Sequence, residues 1–336
     1  MVKIYRLSLL IVLLLCFQTA NAEWVKQATN SFSWFRDVIF VNEHKGWISG
    51  TDGTLMTTDD GGASWTAIRK FTTDAIVQIH FSDEMTGWLL CQRNVYARGK
   101  DASSYLRKTI DGGITWEKIE FEYAGRERVT KLLFNKAGGA TAFGEGGIFY
   151  KLQEDGRTWK KTVTAIHFVL LDGAYADDSL GAIVGAGGSI LFTENTGLSW
   201  DNATLMERTD AKINAVFFAG RKAAWAVGSG GTIFHSTGGG RLWRLQDSGT
   251  NANLNDVYFT NSSNGWAVGD NGTIIRTRNG GSTWYDVSSH VTHRLEKIVF
   301  NGAKGWAVGF GGTLLSYDDS VSNTDPGTKP TLQKRN

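Results

Sequence analysis

The stretch GWAVGDNGTIIRTRNGGSTW, residues 265–284, recurs along the chain with small changes and decides the fold. Related copies are GWISGTDGTLMTTDDGGASW at 46–65, AWAVGSGGTIFHSTGGGRLW at 224–243 and GWAVGFGGTLLSYDDS at 305–320. In each copy, short apolar strands alternate with glycine-rich turn signals, and in most a tryptophan follows. A period of about 41–43 residues is typical of propeller blades built from four strands.

Each repeat begins with one further short apolar strand, and seven such starts are present. They are DVIF at 37, QIHF at 78, KLLF at 131, GAYA at 173, NAVF at 214, DVYF at 256 and KIVF at 297. None of these segments has a helical periodicity long enough to compete with a strand. The sequence therefore predicts an all-β fold, a seven-bladed β-propeller.

A tryptophan opens the fourth strand in six of the seven repeats, at Trp65, Trp116, Trp159, Trp200, Trp243 and Trp284. The seventh repeat lacks it, but Trp24 stands one period before Trp65. We therefore expect an N-terminal strand to complete the last blade and close the ring. A buried indole removes about 150–250 Å² from water, worth roughly 4–6 kcal/mol as an upper estimate. The regular spacing of these tryptophans favours a role in the core over a binding surface on which sugars or bases stack.

The first 22 residues have the features of a secretory signal peptide. Lys3 and Arg6 precede an apolar run at 9–17, and the leader ends in Ala-Asn-Ala with cleavage expected after Ala22. Lipid attachment at Cys16 is the alternative, although a leucine stands before it where a lipoprotein leader has a small residue. We expect an exported protein, in the periplasm or its thylakoid-lumen equivalent, or secreted.

The leader defines the remaining domain boundaries. We expect a propeller over residues 23–320 and a mobile polar tail over 321–336. Without the two basic residues of the leader, the mature chain carries 33 basic and 33 acidic residues. This balance gives no support to nucleic-acid binding, which needs a basic excess or a dedicated motif. Cys91 has no partner within the mature chain, and we expect it to be a small buried apolar residue.

A second motif precedes the fourth-strand tryptophans. The segments TDDGGASW at 58, TIDGGITW at 109, TENTGLSW at 193 and TRNGGSTW at 277 match the pattern S/T-x-D-x-G-x-x-W, with Asn195 and Asn279 replacing the aspartate. Gly238 replaces it in another copy. The pattern resembles the Asp-box, or bacterial neuraminidase repeat (BNR). Asp, Asn and Gly suit a hairpin turn, so the motif predicts a turn device whose carboxylates are poor catalytic candidates.

Over the whole mature length, the GWAVG second strands, GGTI third strands and Asp-box turns resemble the photosystem II stability and assembly factor family. That resemblance implies an exported, seven-bladed, non-enzymatic propeller, expected to be monomeric, that binds a membrane protein during its assembly. Peripheral membrane association is compatible with it. The client stays open, since similar propellers occur in bacteria without a photosystem, where an envelope complex or an exporter would take its place.

A sialidase-like glycoside hydrolase is the competing interpretation, because sialidases share the propeller and the Asp-boxes. Their early F/Y-R-I-P segment is absent here, since the two prolines are Pro326 and Pro330. Arg36 offers an arginine in a comparable early strand without the rest of that motif. The six histidines have no metal-binding spacing and no cysteine cluster exists. We therefore expect no catalytic residues, no metal and no cofactor.

Basic residues concentrate where loops lead into first strands and in one long insertion, CQRNVYARGKDASSYLRKT, between the second and third strands of blade 2. Such loops open on one side of a propeller, and blades 7, 1, 2 and 3 are consecutive around the ring. We expect a basic arc that docks a protein partner, with Tyr96 and Tyr105 as additional anchors. The arc comprises Arg36, Arg93, Arg98, Lys100, Arg126, Arg128 and Arg294. The alternative is scattered, solvated arginines paired with Asp101, Glu122 and Glu127.

Overall fold

A computed structural model describes residues 23–94, 96, 101–135, 138–162 and 166–322. Seven antiparallel sheets follow one another along the chain and form the seven blades. The predicted all-β propeller is thus confirmed. The expected leader at 1–22 and residues 323–336 of the expected tail lie outside the described residues. Among the described residues, no helix is long or apolar enough to cross a bilayer.

The first strand of each blade is innermost and contacts the first strands of both neighbouring blades. The first strands are Phe35–Phe40 (β2), Ala75–Phe81 (β6), Val129–Phe134 (β10), Leu170–Tyr175 (β14), Ile213–Ala219 (β19), Leu254–Phe259 (β23) and Leu295–Asn301 (β27). The second strands are Gly46–Gly50 (β3), Gly87–Gln92 (β7), Ala140–Gly144 (β11), Gly181–Gly185 (β15), Ala223–Gly228 (β20), Gly265–Gly269 (β24) and Lys304–Gly309 (β28). The second strands are almost wholly buried because sheets pack on both of their faces.

The outer half of each blade is formed by the third and fourth strands. The third strands are Leu55–Thr58 (β4), Ser104–Thr109 (β8), Phe149–Leu152 (β12), Ile190–Thr193 (β16), Ile233–Ser236 (β21), Ile274–Thr277 (β25) and Leu314–Asp318 (β29). The fourth strands are Val25–Lys26 (β1), Thr66–Ala67 (β5), Glu117–Ile119 (β9), Trp159–Thr162 (β13), Asp201–Asn202 (β17), Leu242–Gln246 (β22) and Tyr285–Asp286 (β26). A fifth strand, Thr204–Leu205 (β18), runs parallel to β22 and covers that edge.

The N-terminal strand closes the ring, as the sequence predicts. β1 pairs antiparallel with β29 of blade 7, with Val25 opposite Ser316 and Lys26 opposite Leu315. Trp24 is 1 % exposed and packs against Phe300 and Tyr317, with ring centroids 6.2 and 5.1 Å away. Blade 7 therefore takes its fourth strand from the opposite end of the chain.

The core is divided among the seams between blades rather than collected in one centre. Seven clusters of buried apolar residues occur in the described chain, each shared by two adjacent blades. Among the fourth-strand tryptophans, Trp24, Trp159, Trp243 and Trp284 are buried, whereas Trp65, Trp116 and Trp200 are half-buried. Their regular spacing therefore reflects packing, because each blade places one large aromatic ring against its neighbour.

The Asp-box is a hydrogen-bonded turn. In blade 1, Asp60 accepts hydrogen bonds from the Thr58 hydroxyl at 2.7 Å and from the Ser64 N–H and hydroxyl at 2.9 and 2.5 Å. These bonds lower the pKa of Asp60 to about 2. Gly62 has a φ of +80°, and a Cβ there would lie 2.5 Å from the Trp306 indole nitrogen of blade 7. The box glycine thus combines a left-handed turn with close packing across a seam.

Blade 3 carries an Asp-box that the sequence pattern missed. Its segment QEDGRTW at 153–159 is one residue shorter than the other copies. Asp155 nevertheless accepts hydrogen bonds from the Thr158 N–H at 2.8 Å and the Thr158 hydroxyl at 2.5 Å. Its pKa falls to about 2, as it does for Asp60 and Asp111. The fixed spacing of the pattern concealed a turn in which the aspartate likewise accepts the N–H and the hydroxyl of the residue before the tryptophan.

Candidate functional site

The two faces of the ring are distinguished by the turns that lie on them. The turn between second and third strands meets the loop that enters a first strand, as when the Thr51 N–H donates to the Trp34 carbonyl at 3.0 Å. The Asp-box turn meets the turn between first and second strands, as when the Gly61 N–H donates to the His44 carbonyl at 2.8 Å. We call the first side the cavity face and the second the Asp-box face.

A central cavity of about 510 Å³ opens on the cavity face, and all seven blades contribute to its wall. Its cationic side chains are Arg36, Arg128, Lys131, Lys212, Arg294 and Lys297, and its carboxylates are Asp37, Glu145, Asp172, Asp256 and Glu296. The lining is therefore nearly balanced in charge. Which of these charges are already paired within the chain decides what the cavity can bind.

A ring of polar side chains forms the deeper part of the cavity. Every first strand carries a β-bulge at its cavity end, which turns two neighbouring residues towards the centre. Asp37 accepts the Ile79 N–H of the next blade at 2.9 Å, and Asp256 accepts the Ile298 N–H at 2.9 Å. Asp172 accepts the Val216 N–H at 3.0 Å. These carboxylates bridge seams and are committed to the fold.

Two lysines form ion pairs with two of the three carboxylates of this ring. The Lys131 ammonium lies 2.6 Å from Asp172, and the Lys297 ammonium lies 3.0 Å from Asp256. Burial raises the pKa of Asp37 and of Asp256 despite these cations. Burial by itself would lower the pKa of Lys297, but the surrounding carboxylates raise it above its ordinary value. The deep ring is therefore a structural charge network with no free acid or base.

At the junction of blades 7 and 1, arginines and aromatic rings form a compact group, the Trp34 cluster: Trp34, Arg36, Arg294, Glu296 and Phe310. Glu296 receives Arg36 at 3.4 Å and Arg294 at 2.8 Å. The two guanidinium groups lie 4.6 and 5.9 Å from the Trp34 ring centroid, and Phe310 contacts the same ring edge-on at 5.6 Å. The cluster presents oriented guanidinium planes beside an aromatic surface.

Three cations in or before the first strands around the cavity have no hydrogen bond or ion pair for their charged groups within the described residues. They are Arg126, which is exposed on the loop before blade 3, Arg128 and Lys212. Arg128 and Lys212 line the cavity. Arg128 uses its backbone for a hydrogen bond, because its N–H donates to the Glu145 carboxylate at 2.9 Å. Each of these three groups can gain a new anionic partner without losing a hydrogen bond or an ion pair.

The structure changes the expected role of the blade 2 insertion. Arg93 is buried, donates to Glu120 and to the Ala102 carbonyl, each at 2.6 Å, and stacks over the Tyr105 ring at 4.4 Å. It is therefore held inside the insertion rather than presented to a partner. Tyr105 is also buried, so its expected role as an anchor is wrong. Tyr96 is 95 % exposed, while Arg98 and Lys100 lie outside the described residues.

The predicted basic arc is thus brought together in part. Arg36, Arg128 and Arg294 line the cavity, Arg126 is exposed two residues before Arg128, and Arg93 is not part of the lining. Among the described residues, the expected pairing with Asp101 is made by Arg93, at 4.0 Å, whereas Arg36 and Arg294 pair with Glu296. Sequence reasoning missed Lys212. The sequence did contain a signal for it. Lys212 is a basic residue directly before the first strand of blade 5, as Arg294 is before the first strand of blade 7.

Two further titratable side chains, Cys91 and His80, are packed within the fold. Cys91 is fully buried and its thiol pKa rises to about 12, which confirms the expected apolar role. His80 stacks on Phe134 with ring centroids 3.8 Å apart, and burial lowers its pKa to about 4. Among the described residues, no group of three or more His, Cys, Asp or Glu side chains is placed to hold a metal.

Comparisons with solved structures show the same fold. YCF48 from Cyanidioschyzon merolae superposes with a TM-score of 0.71 at 20 % identity, covering 89 % of this chain and 99 % of that one. A structure described as YCF48 bound to D1 peptide superposes with a TM-score of 0.70 at 22 % identity, covering 88 % of this chain and 94 % of that one. At these identities the likeness concerns the architecture.

Sequence comparisons identify the family. The photosystem II assembly lipoprotein Ycf48 of Synechococcus sp. strain CC9902 is 26 % identical over 61 % of this chain, and the match spans only 60 % of that relative. The photosystem II assembly protein Ycf48 of Synechococcus sp. strain JA-3-3Ab is 25 % identical over 72 % of this chain and 86 % of its own length. The model of the family described as photosynthesis system II assembly factor YCF48 matches residues 17–166, 153–248 and 241–325. The chain therefore belongs to the photosynthesis system II assembly factor YCF48 family.

Proposed function

We propose that this protein is an exported, monomeric assembly factor that binds a segment of a membrane-protein client on its cavity face and catalyses no reaction. The observation that carries the proposal is the arrangement of that face. The Trp34 cluster lies on one side of an open cavity, and unpaired cations lie on the other. The same face contains no free acid or base in its deep ring, because those carboxylates bridge seams or bind lysines.

The chemistry of the face suits a peptide. Arginine can bind a carboxylate through two parallel hydrogen bonds and can stack on an aromatic ring. Phe310, which contacts Trp34, is 49 % exposed, and Phe32, two residues before Trp34 in the chain, is 96 % exposed. Both rings are candidate apolar anchors. Exposed aromatic and arginine side chains are the residues that carry most of the binding energy in protein interfaces. A chain of a few residues could cross from the Trp34 cluster into the cavity.

The client class comes from the relatives. One similar propeller is described as bound to D1 peptide, and two relatives are described as photosystem II assembly proteins. We extend this partner class to the present chain, so that its client would be D1 or the equivalent subunit of another membrane complex. The expected secretory leader supports a location on the exported side of that membrane, where binding at its surface makes the association peripheral.

The proposal is tested with overlapping labelled peptides that cover the D1 sequence. We expect at least one to bind the full mature chain, and the affinity to fall as salt increases because the interaction is partly ionic. Replacing Arg126 and Arg128 by Ser should weaken that binding about tenfold while leaving the thermal midpoint unchanged. Since Arg278 and Lys304 lie exposed on the Asp-box face, their replacement by Ser is the matched control.

Two results would contradict the proposal. Binding of no peptide, together with no capture of a membrane complex by the tagged protein, would exclude a client of this class. Hydrolysis of a fluorogenic sialoside or a related glycoside by the pure protein would contradict the absence of turnover. Equal weakening by the control pair would move the docking surface to the Asp-box face.

A further inference from the structure

Blade 4 lies between two unpaired cations at the mouth of the cavity. Arg128 belongs to the last residues before the first strand of blade 3, and Lys212 directly precedes the first strand of blade 5. Both line the cavity, and neither charged group has a hydrogen bond or ion pair in the described part of the chain. Lys212 is exposed and Arg128 is half-buried. The two cations therefore border one sector of the ring from either side.

The blade 4 sector itself supplies little opposing charge. Its contribution to the wall consists of Val169, Leu171, Ala186 and Asp172. Both carboxylate oxygens of Asp172 are engaged, one with Lys131 at 2.6 Å and the other with the Val216 N–H at 3.0 Å. Three of the four side chains are therefore apolar, and the fourth is already neutralised.

On the opposite side of the cavity, the cations are paired with carboxylates. There Arg36 and Arg294 are held by Glu296, and Arg294 also lies 3.0 Å from Asp270. On the blade 3 side, Glu145 lines the cavity and accepts the backbone N–H of Arg128. Beside blade 4, Arg128 and Lys212 thus have no ion pair within the described residues, although Asp270 attracts Lys212 from a longer distance. The arginines of blades 7 and 1 carry their own counter-ions.

We infer that this sector, the blade 4 subsite formed by Arg128, Lys212, Val169, Leu171 and Ala186, binds one carboxylate of the client peptide. The carboxylate lies between the two cations, and the aliphatic part of the same residue packs on the apolar wall. The inference rests on the proposed function, because it assigns one chemical group of the same client. It adds a specificity determinant outside the basic arc, on blade 5.

A carboxylate fits this environment for physical reasons. An arginine and a lysine can each donate charge-assisted hydrogen bonds to its two oxygens, and an apolar wall beside them lowers the local dielectric and strengthens that attraction. In a peptide the carboxylate comes from an Asp or Glu side chain or from the chain terminus. Both sources offer the same group, so the experiment has to separate them.

The probe is the tightest-binding member of the D1 peptide set, prepared in three forms. The first is unchanged, the second has its terminal carboxylate amidated, and the third has each acidic side chain replaced by its amide. We expect one of the two altered forms to bind the full mature chain about tenfold more weakly, as expected for the loss of a charge-assisted hydrogen bond. The form that loses affinity identifies the source of the carboxylate.

Variants then place that carboxylate. Arg128→Gln and Lys212→Gln should each weaken the unchanged peptide about five- to tenfold and leave the weakened form almost unaffected, because its partner group is already gone. Lys160→Gln is the matched control, since Lys160 is an exposed, unpaired cation on the outer strand β13 within the described residues. It should leave the affinity of every form unchanged.

The outcomes separate the two proposals. If both amidated forms bind as tightly as the unchanged peptide, or if the two variants weaken all forms equally, the blade 4 subsite is wrong and the docking face stands. If no peptide binds at all, the proposed function falls and the subsite falls with it. Circular dichroism and the thermal midpoint of each variant verify that the fold is retained.

Discussion

The carboxylate of Asp37 in blade 1 accepts the backbone N–H of Ile79 in blade 2 at 2.9 Å. Equivalent bonds cross other seams, where Asp172 meets Val216 and Asp256 meets Ile298. The acceptor side chain and the amide that it satisfies lie about one repeat apart in the sequence. A ring of such bonds fixes the blades in register at the cavity, where the propeller would otherwise expose unpaired amides.

The seam bond of Asp37 can be removed with almost no change of shape. Asp37→Asn leaves one oxygen where two are needed, so either Val38 or Ile79 loses its acceptor. We expect the free energy of unfolding to fall by about 1–3 kcal/mol, the cost of a buried unsatisfied donor. Urea denaturation measures it, and Asp286→Asn on an exposed fourth strand is the control. An equal effect in both variants would show that the seam bond is dispensable.

Closure of the ring depends on Trp24. Replacing this fully buried indole by Ala should cost about 3–5 kcal/mol through the cavity that it leaves between Phe300 and Tyr317. Val25→Ala changes the next residue, which is 59 % exposed, and should have little effect. Deleting residues 23–30 should also broaden the thermal transition. A truncated chain that melts as sharply and as hot as the mature protein would contradict closure through this strand.

The Asp-boxes make stability sensitive to acid. The pKa of Asp60, Asp111 and Asp155 lies near 2, below the ordinary value of 3.8. The folded state therefore binds protons less readily than the unfolded chain, and the stability that these bonds supply is complete above about pH 4 and lost as the pH falls towards 2. Blades 4 and 6 use Asn195 and Asn279 for the same turn.

This natural replacement provides the experiment. A variant with Asn at positions 60, 111 and 155 should fold and should lose less stability than the parent protein between pH 4 and pH 2. Asp37 and Asp256 are unchanged in both proteins, and their raised pKa values act in the opposite direction. Urea midpoints across this range measure the difference. Parallel curves for the two proteins would show that the boxes do not govern acid sensitivity.

Two arginines of the basic arc should behave differently. Arg93→Gln breaks the buried contacts with Glu120 and the Ala102 carbonyl, and we expect a loss of about 1–3 kcal/mol of stability. Arg126→Gln should leave stability unchanged, since that side chain is exposed and unpaired among the described residues. Thermal and urea denaturation of the two variants compare them directly. Equal stability of both would show that Arg93 is as free as Arg126.

Much of the fold could be predicted because its information is local and repeated. A strand of four to seven residues, a glycine turn and a tryptophan recur at one period, and each copy specifies the same blade. Trp24 stood one period before Trp65, so even the closing strand was predictable. The register of the first strands at the cavity was harder to predict from the sequence. The fourth start was placed at Gly173, whereas the bulge makes Asp172 the equivalent of Asp37.

The state of each charge was decided only by the tertiary structure. Arg36 and Glu296 are separated by 260 positions in the sequence, and ring closure brings them to 3.4 Å. Arg93 looked like its neighbours in an exposed insertion, yet its loop folds back and buries it. Lys212 makes no ion pair within the described residues, and Asp270, which attracts it, already pairs with Arg294. The sequence by itself determined the seven-bladed ring, since six blades are each encoded within one repeat and Trp24 marks the strand that completes the seventh. Only the closed structure decided which cations remain free, because pairing depends on which distant loops the ring brings together.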